Sequence, residues 1–230
     1  MKRLLRTVAR LLLIACSALI ALQLWFLAHV LWWKENDPGS TRFMRLQLAE
    51  LRKTDPQAEL RHHWIPYDQV STHLKRAVVA AEDDRFMSHN GFDWQGIQHA
   101  IERNRQHGGR MAGGSTISQQ LAKNLFLSPR RSYLRKAQEA AITVMIEQTW
   151  SKRRILEVYL NVVEWGEGVF GAEAAAQHYY GLSADRLGPV EASRLAVKLP
   201  NPRRYEREFG PRMTAHANRV RGRMGNSRIP

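Results

Sequence analysis

Residues 11–33, "LLLIACSALIALQLWFLAHVLWW", run for 23 positions without a Lys, Arg, Asp or Glu. Coiled as an α-helix they span about 34 Å at ~1.5 Å per residue, more than the ~30 Å hydrocarbon core of a bilayer. Trp25, Trp32 and Trp33 gather toward the far end, where interfacial aromatics are favoured. Lys2, Arg3, Arg6 and Arg10 precede the run, whereas Lys34, Glu35 and Asp37 follow it. The positive-inside rule therefore predicts a cytoplasmic basic N-terminus (1–10), one transmembrane helix (11–33) and everything after residue 34 outside. A cleaved signal peptide carries a shorter apolar stretch and a small-x-small site before polar sequence, and neither fits here. "LIAC" at 13–16 weakly resembles a lipoprotein cleavage box, but 17 uncharged residues follow Cys16. The plain alternative is a buried helix of a soluble protein; the reading adopted is a single-span anchor.

From residue 34 onward 31 basic residues face 21 acidic ones. A surface with that excess suits nucleic acid, anionic lipid or a phosphate-bearing substrate. Outside the cytoplasm nucleic acid falls in rank and membrane-bound anions rise. Cys16 is the one cysteine, so no intrachain disulfide is possible and no Cys-rich zinc site can form; the nine histidines include no HExxH.

Beyond the anchor, a polar connector (34–59) is punctuated by Pro38, Gly39 and Pro56, and polar sequence continues past Pro66. Ser71 is placed to cap a helix with Leu74, Ala77, Val78 and Ala81 on one face. A second helix is expected from Asp93 to Asn104, with Ile97, Ala100 and Ile101 inward. A Gly- and Arg-rich loop, "RQHGGRMAGG", leads to a helix starting near Ser115 or Thr116. Further helices are expected over 132–150, 151–161, 172–180 and about 189–198, the last ending at "LPNP". No run of alternating β-branched residues stands out, so the part after the anchor reads as all-α. The tail 221–230 reads as solvated and frayed at its end.

Three acids stand together in "AAEDDRFMSHNG", residues 80–91. Glu82 falls at the C-terminal end of its helix, the negative pole of the helix dipole, and partial burial would add to that pole in raising its pKa. A general base working near neutral pH benefits from such a shift. Phe86 is a candidate apolar wall, and Gly91 permits a tight turn after His89. The plainer reading is an acidic helix end entering a polar loop.

"GGSTISQQLAKN", residues 113–124, places a Thr116–Gln119 capping box after two glycines. Exposed amides at that helix start would form an anion site, and Gln119, Gln120, Lys123 and Asn124 offer donors one turn in. Between Arg103 and Lys136 there are eight Lys and Arg residues and no Asp or Glu. Arg130, Arg131, Arg135 and Lys136 follow the capped helix, and then Glu139 appears. Arg135 and Glu139 are i, i+4 neighbours, so an ordinary surface ion pair competes with a phosphate pocket edged by a second carboxylate. "GEGVFG", residues 166–171, matches GxGxxG but follows a helical segment, and a sharp connection between helices explains its glycines better than nucleotide binding.

Together these blocks resemble the peptidoglycan glycosyltransferases of glycosyltransferase family 51. The resemblance rests on "EDDRFMSHNGFD" (82–93), "GGSTISQQLAKN", "RKAQE" (135–139), and "SKRRILEVYLN" (151–161) with "GAEAAAQHYYG" and "LPNP" beyond it. It covers about 60–220. The 230 residues contain no Ser-x-x-Lys, so the similarity is to the monofunctional branch without transpeptidase activity. Ser118 stands where Thr is common, and Gln138 where a basic residue sometimes sits.

The resemblance implies an all-α, lysozyme-like glycosyltransferase domain with a smaller membrane-facing lobe. It implies polymerisation of lipid II into β-1,4-linked glycan, with inversion and release of polyprenyl diphosphate. Glu82 matches the general base and Glu139 the second functional carboxylate. Ser115, Gln119, Gln120, Lys123, Asn124, Arg131, Arg135 and Lys136 match substrate-binding positions. The implied partners are lipid II, the polyprenyl-diphosphate-linked glycan chain, membrane lipids and other cell-wall synthesis or division proteins, with no nucleic acid. Some members respond to a divalent cation (Mg2+ or Mn2+), yet no cage of oxygen ligands is legible and no metal site is expected. The implied location is the plasma (inner) membrane, with the catalytic domain on the periplasmic face. The rivals are a lytic glycosidase, against which the basic cluster argues because glycan cleavage releases no diphosphate, and a non-enzymatic anchored binding protein.

Overall fold

The computed structural model describes residues 1–107, 114–130 and 132–230. They form two compact units, 1–37 and 38–230. The first is a single helix, α1 (Lys2–Glu35), which extends the apolar run at both ends and takes in the basic residues that precede it. It is the one helix among the described residues long and apolar enough to cross a membrane. Leu11, Leu12, Leu13 and Ile14 are all exposed, as suits a surface meant for lipid rather than water. The helix ends where Asn36 turns extended, just before Pro38.

The second unit opens with a helix, α2 (Arg42–Leu51), where the sequence predicts a connector. Thr41 caps it, its hydroxyl accepting from the Met44 amide at 3.1 Å. The signal was available, but Met44 gives a sulfur where a capping box normally has Glu or Gln, and the neighbouring prolines hid the rest.

After β1 (Arg61–His62) come α3 (Thr72–Glu82) and α4 (Trp94–His107). The Ser71 hydroxyl caps α3 by accepting from His73 N, and Leu74, Ala77 and Val78 are fully buried. In α4 Ile97 is half-buried, but Ile101 is half-exposed rather than inward; nothing is described of the Ala100 side chain.

Next come α5 (Ile117–Phe126), α6 (Tyr133–Thr149) and α7 (Lys152–Val162), with Thr116, Ser132 and Ser151 as hydroxyl caps. α5 packs against α2, α6 and α7, and α3 packs against α9 (Pro189–Ala196) and α11 (Pro211–Arg223). The remaining helices are α8 (Ala172–Tyr180), ended by Gly181 at φ 64°, and α10 (Pro202–Arg207). The second proline of "LPNP" therefore starts a helix as its first residue, where a missing N–H costs nothing.

The all-α class holds with one addition. β2 (Glu164–Gly166) and β3 (Val169–Phe170) form an antiparallel hairpin, and β1 joins β3 in parallel, giving the order β1-β3-β2. These strands are too short to show alternation, and β2 and β3 are buried on both faces. "GEGVFG" is this hairpin, not a bare helix connection. Asn161 at the end of α7 ties β1's segment down: its amide exchanges two 2.9 Å bonds with the Ile65 backbone, and His62 Nε2 meets its carbonyl at 3.0 Å.

The C-terminal tail is packed rather than solvated. Met224 and Ser227 are buried, Ser227 Oγ donates to Asp84 Oδ1 at 3.0 Å, and the Tyr67 hydroxyl donates to the Pro230 carbonyl at 2.8 Å. Met224 completes an apolar face that Ala217 and Val220 begin on α11, a period the surrounding arginines concealed in the sequence.

Candidate active site

Glu82 is the last residue of α3, and its side chain borders a recess of about 320 Å³. Gln120 Nε2 donates to Glu82 Oε2 at 2.7 Å, and the Tyr159 hydroxyl donates to Gln120 Oε1 at 3.0 Å. Helices α3, α5 and α7 thus meet in one chain of hydrogen bonds. Burial pushes the Glu82 carboxyl above the usual carboxylate range, the Gln120 bond and the Lys123 charge oppose this, and the Asp83 charge adds to it. The apolar residues lining the recess are Ala81, Leu199 and Pro200. Phe86, expected there, is instead fully buried, with Lys152 Nζ 4.6 Å from its ring centre.

The rest of the first acidic motif is a brace. Asp83 Oδ1 lies 2.8 Å from His89 Nε2, and Asp83 Oδ2 accepts from the Ile117 amide at 3.0 Å. His89 Nδ1 accepts from the Gly91 amide, which assigns the ring's proton to Nε2. Gly91 has φ 90°, and a Cβ there would lie 2.8 Å from Thr143 Cγ2. Its carbonyl accepts from the Thr116 hydroxyl at 2.7 Å.

This brace corrects the expectation of a free anion site at the start of α5. The Ile117 amide is taken by Asp83 and the Gln119 amide by Thr116 Oγ1, so the anion at that helix terminus is a side chain of the protein itself. Gln119 completes the capping box, its Oε1 accepting from the Thr116 amide at 3.0 Å, and it also borders the recess.

Ser115, Gln120, Lys123 and Glu139 border both this recess and an adjoining cavity of about 500 Å³, which Asn124, Arg135 and Lys136 also line. Leu199 and Pro200 also line both, so the two lie side by side as one candidate cleft. Glu139 is buried at 3% exposure, and Arg135 Nη1 donates to its Oε2 at 2.7 Å while Lys136 Nζ pairs with its Oε1. Such burial sets this pair apart from an ordinary surface salt bridge. Lys136 Nζ also reaches Ser115 Oγ at 3.3 Å. Burial pulls the Lys123 ammonium below its usual range; the charges of Glu139 and Glu82 oppose that, and those of Arg135 and Lys136 add to it. Among the described residues, its ammonium forms no ion pair within 4 Å. Arg130 is exposed and does not line the cleft, and Arg131 lies outside the described residues.

Three features of the cleft escaped the sequence reading. Arg203 on α10 lines it, its Nε donating to buried Glu164 Oε1 at 2.9 Å and its Nη2 to Gln47 of α2. Phe43 adds an aromatic wall from α2. Tyr159 lies behind Gln120. A helix over 42–51 would have signalled the α2 residues; nothing local marks Glu164 or Tyr159, which read as core.

A carboxylate with a raised pKa, facing a cavity and held by one amide, is suited to take a proton from a hydroxyl. Lys123, in the same recess, and Arg135 and Lys136, in the adjoining cavity, are suited to hold an anion whose charge grows during reaction. Among the described residues no group of three or more His, Cys, Asp or Glu is arranged to hold a metal ion.

The transglycosylase family model matches residues 48–225, more than three-quarters of the chain. A biosynthetic peptidoglycan transglycosylase of Azoarcus sp. (strain BH72) is 66% identical over 230 residues, the whole of both chains. The protein of the same name from Aromatoleum aromaticum is 62% identical over 230 residues, again all of both. That of Dechloromonas aromatica is 62% identical over 185 residues, 80% of each. With the cleft of Glu82 and Glu139 inside the matched span, this chain belongs to the transglycosylase family.

Proposed function

We propose that the chain is a peptidoglycan glycosyltransferase that polymerises lipid II into β-1,4-linked glycan and does not cross-link peptides. The observation that carries this reading is that the Glu82 recess shares its walls, Lys123 and Glu139 among them, with the cavity lined by Arg135 and Lys136. A glycosyl transfer from a lipid diphosphate needs a base at one end and anion stabilisation at the other.

In this reading the growing chain, joined through its diphosphate to a polyprenyl lipid, is the donor, and lipid II is the acceptor. Glu82 removes the proton of the acceptor's 4-hydroxyl as that oxygen attacks the donor's anomeric carbon. The α-linked diphosphate departs from the opposite face, so configuration inverts. Charge that grows on the leaving group meets Lys123, Arg135 and Lys136, whose contribution is larger in the transition state than in the ground state. Glu139 keeps Arg135 and Lys136 fixed while the cleft is empty. Ser115, Gln119, Gln120 and Asn124 supply polar contacts, and Arg131 belongs to the same basic run. Helix α1 spans the plasma (inner) membrane with its N-terminus in the cytoplasm, and the anchor keeps the cleft beside a lipid-linked substrate, raising its effective concentration.

Incubating the detergent-solubilised protein with labelled lipid II tests the reading. The expected products are a muramidase-sensitive polymer and polyprenyl diphosphate. Release of soluble fragments from purified sacculi, without polymer from lipid II, would instead establish a lytic glycosidase.

A further inference from the structure

The chain Tyr159–Gln120–Glu82 has a direction. An amide can face a carboxylate with either its nitrogen or its oxygen, and only the nitrogen donates. In the structure Nε2 faces Glu82 and Oε1 faces the Tyr159 hydroxyl. Turning the amide over would place an acceptor against Glu82 and a donor against Tyr159. The Tyr159 O–H would then need another acceptor, and among the described residues it has none besides Gln120. Tyr159 is fully buried, so bulk solvent does not reach its hydroxyl and an unpaired O–H there would be costly.

We propose that Tyr159 is a positioning residue for the glycosyl transfer: by donating to Gln120 it fixes the amide nitrogen toward Glu82 and so aims the base into the recess. This rests on the function proposed above. Tyr159 does not line the recess and touches no substrate; it acts through Gln120.

The groups that bear on Glu82 come from four elements. Asp83 follows it in its own turn, Gln120 and Lys123 face it from α5, and Tyr159 stands behind from α7. Glu139 of α6 borders the same recess. Of these, Gln120 alone donates a hydrogen bond to the carboxylate. Losing the fixed donor therefore favours the protonated acid, and the base becomes available only at higher pH.

The test is the pH dependence of lipid II polymerisation by the full chain in detergent, for wild type, Tyr159→Phe, Gln120→Leu and the double variant. Tyr159→Phe should lower kcat about tenfold near pH 7 with KM within about twofold, a fraction of the ~10²–10⁴ that a general base contributes. The acidic limb should move to higher pH, so the deficit shrinks as pH rises. The double variant should be no worse than Gln120→Leu alone, because both remove one pathway. Wild-type kcat and limb in Tyr159→Phe would overturn the proposal, as would a fully additive loss in the double variant. Should Tyr159→Phe fail to fold, Gln120→Leu carries the test, and an unshifted limb there overturns it. A wild type that makes no polymer overturns the glycosyltransferase reading itself, and this inference with it.

Discussion

Asp83 and Ile117, 34 positions apart, are joined by a 3.0 Å hydrogen bond from the Ile117 amide to Asp83 Oδ2. That bond ties the residue after Glu82 to the first residue of α5, the helix that carries Gln120 and Lys123. The proposed base and its surroundings are therefore tied together by one buried carboxylate that lines neither cavity of the cleft.

Asp83→Ala should thus cost more than an average core polar change. It strands the Ile117 amide and His89 Nε2, both inside the protein, at about 2–4 kcal/mol. Urea denaturation measures this, and a loss under ~0.5 kcal/mol would show that the brace is dispensable.

Gly91 predicts a second structural loss. Gly91→Ala puts a side chain at φ 90° and a Cβ 2.8 Å from Thr143 Cγ2, so about 2 kcal/mol of stability should go. The same denaturation experiment reads it.

The helices legible in the sequence were those whose signals are local: hydroxyl caps at Ser71, Thr116, Ser132 and Ser151, and Gly181 after α8. The lining of the candidate cleft was legible where one short stretch carried it, as with Glu82, Gln120, Lys123, Arg135 and Glu139. What remained hidden depends on contacts between distant segments. Tyr159 and Gln120 are 39 positions apart, and Arg203 and Gln47 156 apart, so no local period announces either pair. The α5 terminus misled for the same reason: the sequence shows a free helix start, whereas Asp83 arrives there from another element.

Glu82 makes a pH prediction with a definite sign. Its folded pKa is raised, so between the unfolded value near 4.5 and that raised value the folded chain holds more protons than the unfolded one. Stability from this group therefore falls as pH rises through that window, and the full cost is present above it. Glu82→Gln should raise Tm at pH 7 and change it little at pH 4. Equal shifts at both values would contradict the assignment.

Glu139→Gln removes the partner of Arg135, whose side chain is 17% exposed, and of Lys136, whose side chain is half-exposed. The Arg135 side carries the cost, about 2 kcal/mol, while the Lys136 side is screened by solvent. Thermal unfolding at neutral pH measures it, and polymerisation should fall in parallel.

Lys123→Ala should lower kcat/KM for lipid II by about 10²-fold, as expected for losing a charge aimed at a developing anion, and weaken inhibition by inorganic pyrophosphate. Unchanged kinetics and inhibition would place Lys123 outside the site.

The most direct test of the account is polymerisation of labelled lipid II by wild type beside Glu82→Gln, both shown to be folded by circular dichroism. The account predicts glycan polymer from the wild type and a loss of at least ~10²-fold in the variant. Polymer from both at similar rates would contradict Glu82 as the base.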